Sequence, residues 1–194
     1  MTASPWGAFA LVSYVPDPLG SLLDNFRHSV SGSDQAQAHV TLLPPRALRV
    51  PLETASEQAA STLRAFSPFE VELDAVHRFP VTNVLYLGIS CGSNNVRELH
   101  RALNTAGLAA HEQFDFQPHL TLGGPFPEPS DAAEASVSNA WSKVQLSKRF
   151  LMDEIVALWA NPLAAPQESW TRVWTYNLRR AHYHTHAAAI GRTS

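Results

Sequence analysis

Two short strings constrain this chain more than anything in its composition: His39-Val40-Thr41-Leu42 and His119-Leu120-Thr121-Leu122, eighty residues apart. With nine histidines and eleven threonines in the chain, chance supplies roughly 0.06 strings of the form H-x-T-L. Two of them imply a repeated unit, and the surrounding pattern agrees. Residues 8–15, AFALVSYV, read as a buried strand closed by Pro16, Pro18 and Gly20. A helix is expected over 21–30, a break at Ser31 to Asp34, and a short strand over 38–43 stopped by Pro44 and Pro45. Next come a helix over 53–66 and a strand over 69–79 that turns Phe69, Val71, Leu73 and Ala75 to one side. The order then recurs: strand 83–89, helix 94–106 closed by Gly107, short strand 118–122, helix 130–144, strand 150–160. Corresponding starts lie about 75–81 residues apart, which predicts pseudo-repeats of about 8–80 and 83–160. A further strand is expected over 170–178 behind a lead-in loop, completing one duplicated domain over 1–178, with 179–194 as a peripheral C-terminal tail.

Composition narrows the class. The 194 residues carry 45% hydrophobic and 16% charged side chains, a globular balance that excludes disorder as the main state. Fourteen basic against seventeen acidic residues give a net charge of −3, which argues against tracking a long nucleic acid by neutralising many phosphates. Only Lys143 and Lys148 are lysines, so fixed positive charge is almost all arginine, the side chain suited to bidentate phosphate contact. Cys91 is the single cysteine, which rules out an intramolecular disulfide and a cysteine zinc cage and suits a reducing, cytoplasmic setting. Met1 to Trp6 carry no basic-then-apolar leader pattern, and no stretch approaches the ~20 apolar residues of a membrane span.

On a strand, His39 and Thr41 share one face while Val40 and Leu42 anchor the other, and His119 and Thr121 do the same opposite Leu120 and Leu122. An approximate two-fold between the repeats would bring two imidazoles and two hydroxyls onto one cleft. In-line displacement at phosphorus calls for a general base on the attacking oxygen and a general acid on the leaving oxygen, and two histidines can hold one proton between them near neutrality. Threonine hydroxyls can donate to the non-bridging oxygens as charge builds there. Such a site needs no metal or other cofactor.

With these residues the chain resembles the two-histidine phosphoesterase superfamily, which includes RNA 2′,3′-cyclic phosphodiesterases, also called 2′–5′ RNA ligases. The resemblance spans about Ala8 to Leu178. It implies a bilobal α+β fold, two antiparallel-rich sheets around a central cleft with helices outside, and an active site of His39, Thr41, His119 and Thr121. The segment Phe79 to Ile89 resembles the family's crossing between lobes. The implied activity is opening of a 2′,3′-cyclic phosphate on a nucleotide or short RNA end. Other readings of the same site are a 2′–5′ phosphodiesterase or ligase, an ADP-ribose cyclic phosphodiesterase, or a nucleotide-binding module without turnover. The chain departs from many RNA-processing members where Gly123 and Gly124 replace a basic residue after the second motif, and where the first motif runs into Pro44, Pro45 and Arg46.

Further binding candidates are Arg46, as a clamp on a terminal phosphate, and Phe79, as a platform for a base. His182, His184 and His186 would share a face if the tail were extended, a spacing open to a divalent metal or a partner, although no metal site is expected. His28, His77, His100 and His111 have no informative spacing.

Overall fold

Hydrophobic alternation and proline or glycine punctuation account for most of the elements. The computed structural model describes residues 7–32, 36–160 and 170–186; Ser33 and Asp34 of the expected break, the expected lead-in loop at 161–169, residues 1–6 and residues 187–194 lie outside that range. Strand β1 (Ala8–Tyr14) has five consecutive buried residues, the mark of a strand covered on both faces. Helix α1 (Leu19–Ser31) starts two residues before the expected position because the Asp17 carboxylate accepts from Ser21 N and Oγ at 2.9 and 2.6 Å. Gly32, at φ 64°, closes it with an N–H bond to the His28 carbonyl.

The expected stop of the next strand at Pro44 is corrected. β2 (His39–Ala47) runs through both prolines and pairs antiparallel with β1 as far as Ala47 opposite Ala8. It can do so because it is an edge strand, where a missing N–H on the open side costs no ladder bond. After α2 (Leu52–Leu63) comes β3 (Phe69–Arg78), whose alternation also needs correcting. Val71 and Leu73 are buried as expected, but Ala75 is exposed and Val76 is buried. A register shift between Leu73 and Val76 in the pairing with β4 (Leu85–Ile89) reverses the faces. His77 and Phe79 thereby come to the same side as Tyr86, which pairs with His77.

Helix α3 (Ser93–Leu103) stops short of Gly107, with a 3-10 turn at Ala106–Leu108, and β5 (Leu120–Gly123) follows. Helix α4 (Asp131–Ser142) is capped by Ser130 Oγ, which accepts from Ala133 N at 3.2 Å. The single strand expected over 150–160 is two. β6 (Arg149–Met152) ends in one sheet, Asp153 breaks it, and β7 (Glu154–Ala160) enters the other. Asp153 marks the crossing: its carbonyl accepts from Leu178 N at 2.8 Å and its carboxylate from Arg179 Nε at 2.7 Å. β8 (Trp170–Asn177) and β9 (His182–Thr185) complete the fold. The tail reading is corrected for His182–Thr185, which adds an edge strand to β8 with Tyr183 packed 5.8 Å from the Trp174 ring.

All pairings are antiparallel, in sheets ordered β2-β1-β7-β8-β9 and β5-β4-β3-β6. The triplets β2-β1-β7 and β5-β4-β3 correspond: each places an H-x-T strand at the edge, beside the first strand of its own unit, with the last strand of the other unit on the far side. β2 and β5 approach each other, while α1 packs on β5 and α3 on β2. Leu42, Val40, Leu120 and Leu122 are fully buried, so the inward halves of both motifs anchor the strands. Truncating one of these leucines to alanine would cost about 2–5 kcal/mol. No helix among the described residues is long and apolar enough to cross a membrane.

Candidate active site

Each histidine stands at the start of its edge strand in the same local setting. His39 Nδ1 donates to the Gln37 carbonyl and His119 Nδ1 to the Gln117 carbonyl, both at 2.6 Å. A carbonyl only accepts, so Nδ1 carries hydrogen in both rings and Nε2 is the nitrogen left for chemistry. The exposure pattern around each is identical: Gln exposed, the next residue buried, His half-buried, then buried, half-buried and buried again through the leucine. Both motifs therefore present His and Thr on one face, as the two-residue period requires.

Between the lobes lies a cavity of about 690 Å³ whose wall includes Thr41, Thr121, His119 and Phe79. His39 is not part of that wall; it is two residues from Thr41 on the same strand face and lies near enough to His119 for their charges to repel. Burial holds both imidazoles below the ordinary histidine range, against the pull of the carbonyl that each one contacts. For His39 the Arg27 guanidinium adds to the lowering, and Asp24 partly offsets it. The outer part of the cavity is apolar, with Pro44, Pro45 and Pro80 joined by Val81 and Phe114, which are 72% and 53% exposed.

Phe79 reaches the site. Its ring stacks on Tyr86 at 4.1 Å and meets His119 edge-on at 5.0 Å, and Tyr86 itself lies 5.4 Å from His119. Arg46 also lines this cavity, where the protein's own acceptors hold it rather than leaving it open to a phosphate. Its guanidinium is buried and donates to the carbonyls of Pro44 and Leu108, to Asn104 Oδ1 and, at 2.7 Å, to Glu112 Oε1. It fastens the 104–112 segment to the end of β2. The tail histidines lie apart from the cleft: His186 Nε2 contacts Thr175 Oγ1 at 3.0 Å, and His184 and His186 rings are 5.1 Å apart. No group of three or more potential metal ligands occurs among the described residues.

Several supports were not legible as single residues. Arg27, buried on α1, donates from Nε to the Thr121 carbonyl at 2.9 Å, and His100, buried on α3, donates from Nδ1 to the Leu42 carbonyl at 2.8 Å. Each repeat thus holds the motif strand of the other. Gln37 and Gln117 did carry a signal, since the repeated string is in fact Q-x-H-x-T-L.

Comparison with known proteins places this geometry. "Putative phosphoesterase BH1439" of Halalkalibacterium halodurans is 28% identical over 124 residues, covering 59% of this chain and 68% of that protein. "Putative phosphoesterase GK0864" of Geobacillus kaustophilus is 27% identical over 129 residues, covering 61% and 70%. Among solved structures, E. coli LigT complexed with 3′-AMP superposes with a TM-score of 0.60 at 16% identity, covering 89% of this chain and 98% of that one. Kluyveromyces marxianus Usb1 gives 0.57 at 11%, covering 87% and 98%. These likenesses establish the mixed fold of helices and antiparallel sheets. The sequence profile of the 2′-5′ RNA ligase superfamily matches residues 15–161, and the chain belongs to that superfamily.

Proposed function

We propose that the chain is a phosphodiesterase that opens a 2′,3′-cyclic phosphate on a nucleotide or short RNA end, using His39 and His119 as an acid–base pair. The observation that carries this reading is the equivalence of the two half-sites, each with Nδ1 spent on a carbonyl and a threonine two residues on. One histidine Nε2 takes a proton from water as the water oxygen bonds to phosphorus. The bond from phosphorus to one ribose oxygen breaks, and the other histidine gives that oxygen its proton. Thr41 and Thr121 donate to the non-bridging oxygens, which gain charge in the transition state. The site regains its starting state when the two imidazoles re-equilibrate their proton with solvent. None of these steps calls for a metal.

Phe79 offers an aromatic surface for the base, and the apolar outer cavity suits a nucleoside rather than a run of phosphates. Neighbouring structures in complex with 3′-AMP and uridine monophosphate agree with a substrate of that size. The test is turnover of a panel of 2′,3′-cyclic mononucleotides, cyclic-ended RNA oligomers, 2′–5′-linked dinucleotides and ADP-ribose cyclic phosphate, in EDTA. The reading expects a ring-opened monoester from the first two. Turnover only of the linear 2′–5′ linkage or only of the ADP-ribose compound would move the substrate, and nucleotide binding without product would leave a binding module.

A further inference from the structure

The two glutamines that precede the histidines are each held by an arginine from elsewhere in the fold. Arg97 Nη2, on α3, donates to Gln117 Oε1 at 2.6 Å, while its Nη1 donates to the Phe116 carbonyl at 2.6 Å. Arg172 Nη2, on β8, donates to Gln37 Oε1, and its guanidinium lies 4.4 Å over the Tyr14 ring, whose neighbour is the His39 ring at 6.0 Å. Both glutamines are exposed, and an exposed glutamine ordinarily spreads over several rotamers. Here each is tethered at its tip while its main-chain carbonyl holds a histidine Nδ1–H.

We propose that Arg97 with Gln117, and Arg172 with Gln37, are paired positioning clamps that fix the carbonyl orienting each histidine of the site. The inference rests on the acid–base reading of His39 and His119. A peptide plane two residues before the imidazole sets where Nε2 points, and a tether at the glutamine tip restrains that plane without touching substrate. The arginines reach in from different elements, helix α3 for Gln117 and, for Gln37, strand β8 of the same sheet as β2. Repetition of the string does not by itself supply them. The Arg97–Gln117 clamp is also continuous with the first motif, because Phe116 stacks at 3.7 Å on His100, which donates to the Leu42 carbonyl.

The experiment uses Arg97→Met, Arg172→Met, Gln117→Leu and Gln37→Leu in the full chain. Two readouts are taken, kinetics on a 2′,3′-cyclic nucleotide and the histidine Nδ1–H proton resonances by NMR. Each variant is expected to lower kcat by about tenfold, the scale of groups that orient a functional histidine, with KM within about twofold. Arg97→Met combined with Gln117→Leu should lose no more than Arg97→Met alone, since Gln117→Leu removes only a bond that the arginine change has already removed. Arg97→Lys, which can still donate to Gln117 Oε1, should recover most of the rate. The Nδ1–H signal of His119 should weaken in Arg97→Met and Gln117→Leu, and that of His39 in Arg172→Met and Gln37→Leu. Gln117→Leu leaves the Arg97 bond to the Phe116 carbonyl in place, so it isolates the clamp from any loss of fold. A raised KM with unchanged kcat in the arginine variants would overturn the proposal in favour of direct substrate contact. Unchanged Nδ1–H signals in the glutamine variants would overturn it even if no substrate were turned over, a result that would count separately against the proposed function.

Discussion

The two half-sites are alike in backbone and unlike in surroundings. His39 and His119 make the same bond to the same kind of carbonyl, yet His39 lies near the Arg27–Asp24 ion pair and His119 lies against the rings of Phe79 and Tyr86. The two strands present equivalent imidazoles; what packs beside each makes them different. The charged half can tune a proton, and the aromatic half can seat a base.

The largest effect should come from breaking the equivalence itself. Replacing either His39 or His119 by alanine should lower kcat/KM by at least ~100-fold with the thermal transition nearly unmoved, since neither ring is core. A loss of fold instead of rate would make these histidines structural. Arg46→Met should do the reverse and destabilise the protein by about 3 kcal/mol, because it removes a buried guanidinium that pairs with Glu112 and donates to three further acceptors. Activity per folded molecule should then fall only as far as the 104–112 segment shifts, which separates Arg46 from a phosphate clamp.

Phe79→Ala probes the aromatic half. Loss of one stacking face, worth about 1–3 kcal/mol, should raise KM roughly tenfold while kcat changes less. An NMR titration should find both His39 and His119 below the ordinary histidine value, with burial the main cause in each; either one at or above that value would remove burial from the account. The smallest effect expected is with salt. One or two phosphate contacts give a slope of log affinity against log salt no steeper than about −1.4. A cyclic mononucleotide should accordingly be turned over nearly as well as a ten-nucleotide RNA with a cyclic end.

Much of this was readable in the chain because it depends on local pattern. The H-x-T-L pair located the motif strands, and the apolar run from Ala8 marked an interior strand of one sheet. What was not readable depends on partners distant in sequence. Pro44 and Pro45 ended a strand on local rules, but the edge position of β2 removes their cost. The face of Phe79 follows from the register shift between Leu73 and Val76, which only pairing with β4 creates. Arg46 read as a candidate phosphate clamp because Asn104, Leu108 and Glu112, which bind it, lie some sixty residues away. Asp153 looked like one polar residue inside a strand, whereas it is where the chain passes from one sheet to the other.

The most direct test of two-histidine catalysis is the pH dependence of kcat/KM on a 2′,3′-cyclic nucleotide in EDTA. The base must be neutral, so the rate climbs as pH rises through its pKa; the acid must be protonated, so the rate falls as pH rises through the other. Burial lowers both in the free protein, which places the apex at or below the ordinary histidine value of about 6.5. The account predicts a bell with that apex, and one limb missing from the residual rate of each histidine variant. A profile flat from about pH 5 to 8 would contradict it.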